Sequence, residues 1–239
     1  MAALVGLLIG TVGVGGVVLV AFLALFGGLS IHQAAATALF TFLFTGILGT
    51  WLYQRRGSID WRIAAPVCAG AVVFGYLGAS AAALVNPRPL SIIIALIIIA
   101  AGVYIFVPAS PGRAHRDGRG AREQTLLASV GAASGFGSGF SGAGGPLFSV
   151  PIMVILGYVP LTAVATSQVL QIIAAVSGTL GNLHHGFIDF TIAALVTVFE
   201  LLGLIAGVRL AHVASAIVLR RLAGTLCIVS GGILLVRSL

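Results

Sequence analysis

Residues 135–146 read Gly135-Phe136-Gly137-Ser138-Gly139-Phe140-Ser141-Gly142-Ala143-Gly144-Gly145-Pro146, and residues 10–16 read Gly10-Thr11-Val12-Gly13-Val14-Gly15-Gly16. Both runs lie inside apolar stretches, 124–157 and 2–28. Glycine in a helix interior costs about 1 kcal/mol relative to alanine. In lipid, every backbone group that glycine frees must find a partner inside the protein. Each stretch is therefore expected to be a broken helix or a pair of half-helices.

The surroundings are membrane sequence. Of 239 residues, 59% are hydrophobic and 7% charged, and the mean hydropathy is +1.19. A soluble domain carries about 25% charged residues, so a water-facing globule is excluded. About 20 apolar residues cross a bilayer core. That length predicts spans at 32–53, 63–85, 90–108, 161–183, 190–211 and 217–236 in an all-α polytopic membrane protein. The N-terminal stretch lacks a basic leader and runs on through its glycine break, so it does not read as a signal peptide. The polar run at 109–123 reads as a solvated cytoplasmic linker between a first unit, 1–108, and a second, 124–239. The 12 basic residues, all arginine, suit the loops of a membrane protein and give no reason to expect a nucleic-acid partner. Cys68 and Cys227 both sit in apolar stretches and suggest no disulfide.

Shifting the chain by 129 residues aligns the two units without a gap, with 16 identities over the 57 positions of 9–65 against 138–194. Gly10, Gly13, Gly15, Gly16 and Gly28 fall on Gly139, Gly142, Gly144, Gly145 and Gly157. Thr37, Gly49-Thr50 and Asp60 fall on Thr166, Gly178-Thr179 and Asp189. The expected fold is two homologous repeats, each a glycine-broken segment followed by three transmembrane helices. If each broken segment crosses the membrane once, the copies are parallel, and eight arginines face four. If each enters and returns as a hairpin, the copies are inverted, and only Arg88 and Arg237 oppose the other ten. The positive-inside rule favours the second arrangement. So does the replacement of Arg55-Arg56 by His184-His185 in the second copy. Re-entrant arms of about 12 residues, or about 18 Å, would reach the midplane.

A half-helix that starts at the midplane points free N–H groups and the positive end of its dipole at whatever lies there. Gly144-Gly145-Pro146 looks like such a start, with proline at the first helical position, and Gly15-Gly16 is its counterpart. Facing termini would form an anion site where transporters place substrate. Neutral donors stand nearby: Thr11, Ser138, Ser141 and Ser149 in the breaks, and Thr37, Thr166, Ser167, Gln168 and Gln171 in the next spans. The bland alternative for the glycines is close helix packing, and for Thr37 and Thr166 a hydroxyl bonded to its own helix. Gln168 and Gln171 align with Leu39 and Phe42, so they either make the site asymmetric or tie helices together. Glu200 is the only acid deep inside a span and aligns with Ala71; an intramembrane carboxylate points to function, here possible proton coupling. Asp60 and Asp189 read as helix N-caps. No metal site, cofactor, nucleotide motif or hydrolase motif is expected.

The stretch Ser138-Gly139-Phe140-Ser141-Gly142-Ala143-Gly144-Gly145-Pro146-Leu147-Phe148-Ser149-Val150-Pro151, followed by Gly157-Tyr158-Val159-Pro160-Leu161-Thr162-Ala163-Val164-Ala165-Thr166-Ser167, resembles the glycine-rich signature of the sulfite exporter TauE/SafE family of membrane transporters. The first copy is degenerate, with Val17 and Phe22 where Pro146 and Pro151 stand in the second. The resemblance implies transport, typically export, of sulfite or an organosulfonate across the bacterial inner membrane. The expectation is a secondary active transporter that alternates access around a midplane site. A passive anion channel and a non-transporting membrane scaffold are the alternatives.

Overall fold

The computed structural model describes residues 1–13, 15–106, 120–183, 187–213 and 216–239, with backbone alone at 12, 101, 105, 106, 212, 213, 216–223 and 226. Most of the 109–123 linker lies outside the described residues, as do His184 and His185. The described residues form ten helices and no strand: α1 (Ala2–Val12), α2 (Gly16–Phe26), α3 (Ile31–Arg55), α4 (Trp61–Leu84), α5 (Pro87–Phe106), α6 (Ala121–Ser141), α7 (Pro146–Ile155), α8 (Pro160–Leu183), α9 (Phe190–Val213) and α10 (Ala216–Ser238). Over those residues α3, α4, α5, α8 and α9 are long and apolar enough to cross a membrane. Their outward faces are apolar, with Val72, Val73, Phe74 and Leu77 exposed on α4 and Leu195, Val198, Phe199 and Leu202 exposed on α9. Lipid is the solvent that such a surface suits.

The helix starts follow their sequences. Ser30 caps α3 in a reciprocal capping box with Gln33, and Asp60 caps α4 by accepting from Arg62 N–H at 2.9 Å. Asp189 does the same for α9, accepting from Ile192 N–H at 2.9 Å. Adding 129 to the bounds of α2 (16–26), α3 (31–55) and α4 (61–84) gives 145–155, 160–184 and 190–213, within one residue of α7, α8 and α9.

Paired contacts fix the helix directions. α3 and α8 cross antiparallel at the centre, with Leu39 against Gly178 and Gly49 against Gln168. α9 runs with α3: Asp189 N–H meets Thr37 near the start of both, and Arg56 reaches the Val208 carbonyl near their far ends. α4 runs with α8, Gly75 lying on Ser177 and Gly181 on Ala79. α1 runs with α9, and α6 with α4. α5 and α10 are antiparallel, with Gly102 on Ile228 and Gly231 on Ala95. Each helix of the first half therefore runs opposite to the helix 129 positions later. One end of the bundle carries Arg55, Arg56, Arg62 and Arg122 with the end of α9 and the start of α10; the other carries Arg88 and Arg237.

Two expectations need correction. The breaks are narrower than the glycine runs: Gly135, Gly137 and Gly139 belong to α6, Gly10 belongs to α1, and the chain leaves the helix only between α1 and α2 and between α6 and α7. The helical glycines serve contact. Gly131 lies on the Val67 carbonyl, Gly135 on Ala71 and Gly139 on the Gly75 carbonyl, while Gly6 and Gly10 meet α9 at Glu200 and Leu204. Close approach of backbones in lipid offsets the helix cost of glycine. The second correction is length. α6 has 21 residues, about 31 Å at the helical rise, against an expected arm of about 12. It begins at Ala121, inside the stretch read as linker, and Glu123 there accepts from the Tyr158 hydroxyl at 2.6 Å.

Candidate anion site at the hairpin crossing

α1 ends at Gly13 in the left-handed conformation (φ 78°), its N–H turned back to the Leu8 and Ile9 carbonyls. α6 ends the same way at Gly142 (φ 68°), with its N–H on the Ser138 carbonyl. These are helix stops that glycine makes at no steric cost. Each chain then folds back. Gly15 packs beside Val5 and Ile9 of its own hairpin, and α2 returns to the end from which α3 starts. α7 likewise returns to the end from which α6 and α8 start. The two segments are re-entrant hairpins inserted from opposite ends.

Their tips meet. A Cβ placed on Gly13 would lie 3.1 Å from Cβ of Pro146, and one on Gly16 would strike the Ala143 carbonyl. The Phe42 ring closes over both turns, 2.9 Å from a Cβ on Gly16 and 3.2 Å from one on Gly144. Gly145 rests on Leu170. Pro146 stands first in α7, as its fixed φ and missing N–H favour. No side chain caps α2 or α7, so the first N–H groups of both half-helices face the crossing with no hydroxyl or carboxylate of the described residues on them. Phe42 and Gln171 stand 129 positions apart and touch: Gln171 Nε2 donates to the Phe42 carbonyl at 3.1 Å and to Thr45 Oγ1 at 2.7 Å.

The polar residues divide into three groups. Some finish the breaks. Ser141 Oγ donates to the Gly137 carbonyl at 2.6 Å and accepts from Ala143 N–H at 3.3 Å; Ser149 donates to the Gly145 carbonyl at 3.0 Å. Some hold helices. Thr11 bonds back to Leu7 at 2.9 Å. Thr37 accepts from Asp189 N–H at 3.0 Å, which ties it to the start of α9 and away from the tips. Gln168 Nε2 reaches the Ile9 carbonyl at 3.3 Å. The rest are buried atoms with no partner among the described residues: the hydroxyls of Ser138 and Thr166, Gln168 Oε1 and both oxygens of Glu200. Ser167 lies beside Gly13 and donates to Val164 at 2.7 Å. Buried polar atoms left without partners are few in native proteins and call for an explanation; a polar ligand supplies one for the hydroxyls, but an anion does not satisfy the Glu200 oxygens.

Sequence reasoning missed Phe42, the wedge between the tips, and Tyr53, whose hydroxyl donates to the Gly10 carbonyl at 2.8 Å and steadies the end of α1. The 129-residue register held the signal for Phe42, because it sets that ring opposite Gln171. Among the described residues no cluster of three His, Cys, Asp or Glu side chains could hold a metal ion.

A bundle of antiparallel halves with two crossed re-entrant hairpins belongs among multi-pass membrane transporters. The family description "Sulfite exporter TauE/SafE" matches residues 1–234, and the chain belongs to that family. It is similar to the "Probable membrane transporter protein YdhB" of Bacillus subtilis (strain 168), 25% identical over 223 residues that cover 91% of this chain and 90% of that one. It is also similar to the "Probable membrane transporter protein YunE" of the same organism, 28% identical over 216 residues and 79% of each chain. No solved structure matches the chain significantly. The protein is a membrane transporter, not an enzyme.

Proposed function

We propose that the chain is a secondary active transporter that exports a small sulfur oxyanion, sulfite or a short organosulfonate, across the inner membrane. The crossing of the two hairpins is its substrate site, and inverted repeats that rock against each other alternate access to it. The arginine-rich end faces the cytoplasm, in line with the positive-inside rule. The observation that carries this reading is the meeting of Gly13 with Pro146 and of Gly16 with Ala143. It brings the N-termini of α2 and α7 together in a low-dielectric interior, where their dipoles favour a negative charge. Backbone donors at Gly15, Gly16, Gly144 and Gly145, with the Thr166 hydroxyl and the second N–H of the Gln168 amide, offer hydrogen bonds but no permanent charge, so the anion can also leave; Ser167, whose proton goes to Val164, lines the site. A scaffold needs close-packed glycines but not two breaks that meet.

The test is counterflow of labelled sulfite and of a short alkylsulfonate in proteoliposomes. The purified protein exchanges one or both anions, and Gly144→Leu, which forces a bulky side chain against Phe42, abolishes exchange while the variant still inserts and purifies as a single species. Unchanged exchange in a well-folded Gly144→Leu variant refutes the site.

A further inference from the structure

Glu200 lies midway along α9, fully buried, with neither carboxylate oxygen meeting a donor among the described residues. The groups around it are few. α9 packs on α1 and α3. From α1, Gly6 packs on the Glu200 main-chain carbonyl. From α3 the side chain meets the Thr41 hydroxyl, whose proton goes to the Ala38 carbonyl at 2.8 Å. The other titratable or charged groups of these elements sit toward helix ends: the Met1 amine, His32, Tyr53, Arg55, Arg56, Asp189 and Arg209. Among the described residues no cation faces the carboxylate. An ionised carboxylate without a partner is expensive to hold in an apolar interior.

The protein contains its own control for a packing role. The contact of Gly6 with Glu200 has an equivalent in the other half, where Gly135 meets Ala71. The position equivalent to Thr41 is Leu170. The glycine contact is thus built twice, once on alanine and once on glutamate. Helix contact is satisfied by alanine, so the acid answers a different demand. Its place suggests which. Gly6 belongs to the re-entrant hairpin whose tip is Gly13, and Thr41 precedes Phe42, the ring that closes over both tips.

We propose that Glu200, with Thr41 beside it, is the proton-carrying group that couples anion movement at the hairpin crossing to the transmembrane proton gradient. The inference rests on the transport reading above. In the closed arrangement the acid keeps its proton and needs no counter-charge. When the α1–α2 hairpin moves against α9, the carboxyl group meets water and exchanges that proton with one side of the membrane. The anion and the proton are then bound and released in a fixed order.

The experiment separates coupling from transport. Proteoliposomes are assayed with a short alkylsulfonate, whose charge stays constant across the neutral range, in two modes: exchange without a gradient, and accumulation driven by a pH gradient. The unaltered protein is expected to do both, and an internal pH dye is expected to show proton movement on addition of the anion. Glu200→Gln and Glu200→Ala should keep exchange within a few-fold and lose gradient-driven accumulation and the dye signal. The alanine variant copies the packing already present at Ala71, which guards against misfolding. Glu200→Asp should keep pH-driven accumulation. Accumulation in Glu200→Gln equal to that of the unaltered protein overturns the proposal, as does loss of exchange in both folded neutral variants or accumulation by the unaltered protein driven by a sodium gradient alone. Absence of exchange in the unaltered protein refutes the transport reading instead.

Discussion

Gly142→Ala should cost far more than the same change at Gly57, although both glycines hold nearly the same backbone, φ 68° and φ 66°. Forcing an L-residue into the left-handed region costs about 1–2 kcal/mol, and this applies equally to both. The surroundings differ. At Gly57 a Cβ meets nothing within 4 Å; at Gly142 it would run into the Cα, carbonyl oxygen and Cβ of Ala35 on α3. Backbone cannot swing aside as a flexible side chain can, so the α6–α7 turn must lift off α3, and overpacking of this kind costs about 1–3 kcal/mol. The total is about 2–5 kcal/mol at Gly142 against about 1–2 at Gly57. A gap of about 1.4 kcal/mol is a factor of ten in an equilibrium constant, so a gap of about 1–3 kcal/mol makes the two unfolding constants differ by about five- to 150-fold. Unfolding in mixed detergent micelles with increasing SDS measures it, with both variants compared with the parent. Transport should follow the same order, because the lifted turn carries Gly144 and Gly145 away from α2. Equal destabilisation by the two substitutions would mean that the turn is not seated on Ala35, and the account of the crossing would fail with it.

Two further outcomes follow. Gln54 and Leu183 are exposed and occupy equivalent positions at the ends of α3 and α8. In a background lacking Cys68 and Cys227, Gln54→Cys and Leu183→Cys should react with an impermeant maleimide from opposite faces of the membrane; labelling from one face refutes the antiparallel halves. Gln171→Leu removes the donor to Phe42 and Thr45, which keep their own hydrogen bond at 3.3 Å. Two lost bonds at about 0.5–1.5 kcal/mol each should lower the SDS midpoint and weaken anion exchange, and an unchanged midpoint would show that the bridge between α3 and α8 contributes nothing.

How much of this was legible in the chain depends on which residue is asked. The hairpins were legible because a matched glycine cluster in lipid has few other outcomes, and the arginine count leans toward opposed halves. The limits of the breaks were not. Gly131, Gly135 and Gly139 recur every four residues, a spacing that serves a helix–helix contact as well as a loop, and only the presence of α4 beside them decides between the two. The start of α6 at Ala121 was hidden because a hydropathy ruler cannot see a polar helical turn beyond the apolar span. Thr37 and Thr166 align with each other, yet Thr37 accepts from the start of α9 and the Thr166 hydroxyl has no partner among the described residues. Alignment gives equivalence along the chain, but what a hydroxyl meets depends on the neighbouring helix. Glu200 stood out as an acid in a span; that it faces a glycine whose equivalent faces alanine became visible only once both crossings existed in space.

Five buried polar residues of the second half align with apolar equivalents, while Thr41 and Thr45 of the first half align with Leu170 and Ala174. Ser134, Ser138, Gln168, Gln171 and Glu200 belong to the second half, and their equivalents are Val5, Ile9, Leu39, Phe42 and Ala71. All five polar residues are buried. An alternating-access cycle between inverted repeats exchanges the conformations of the two halves, and identical halves would give its two end states equal energy. Here the backbone supplies the near-symmetry, through matched helix stops at Gly13 and Gly142, and the side chains break it. Moving the α1–α2 hairpin changes what surrounds Ile9, held by Gln168, and Gly6, held against Glu200. Moving the α6–α7 hairpin changes what surrounds Gly139 and Gly135, which rest on Gly75 and Ala71. The first contact involves an amide and the backbone beside a buried carboxyl group, and the second involves glycine and alanine. In the cycle proposed above, inward- and outward-open states would therefore differ in polar solvation, and a proton and an anion bound in one state and released in the other would offset that difference.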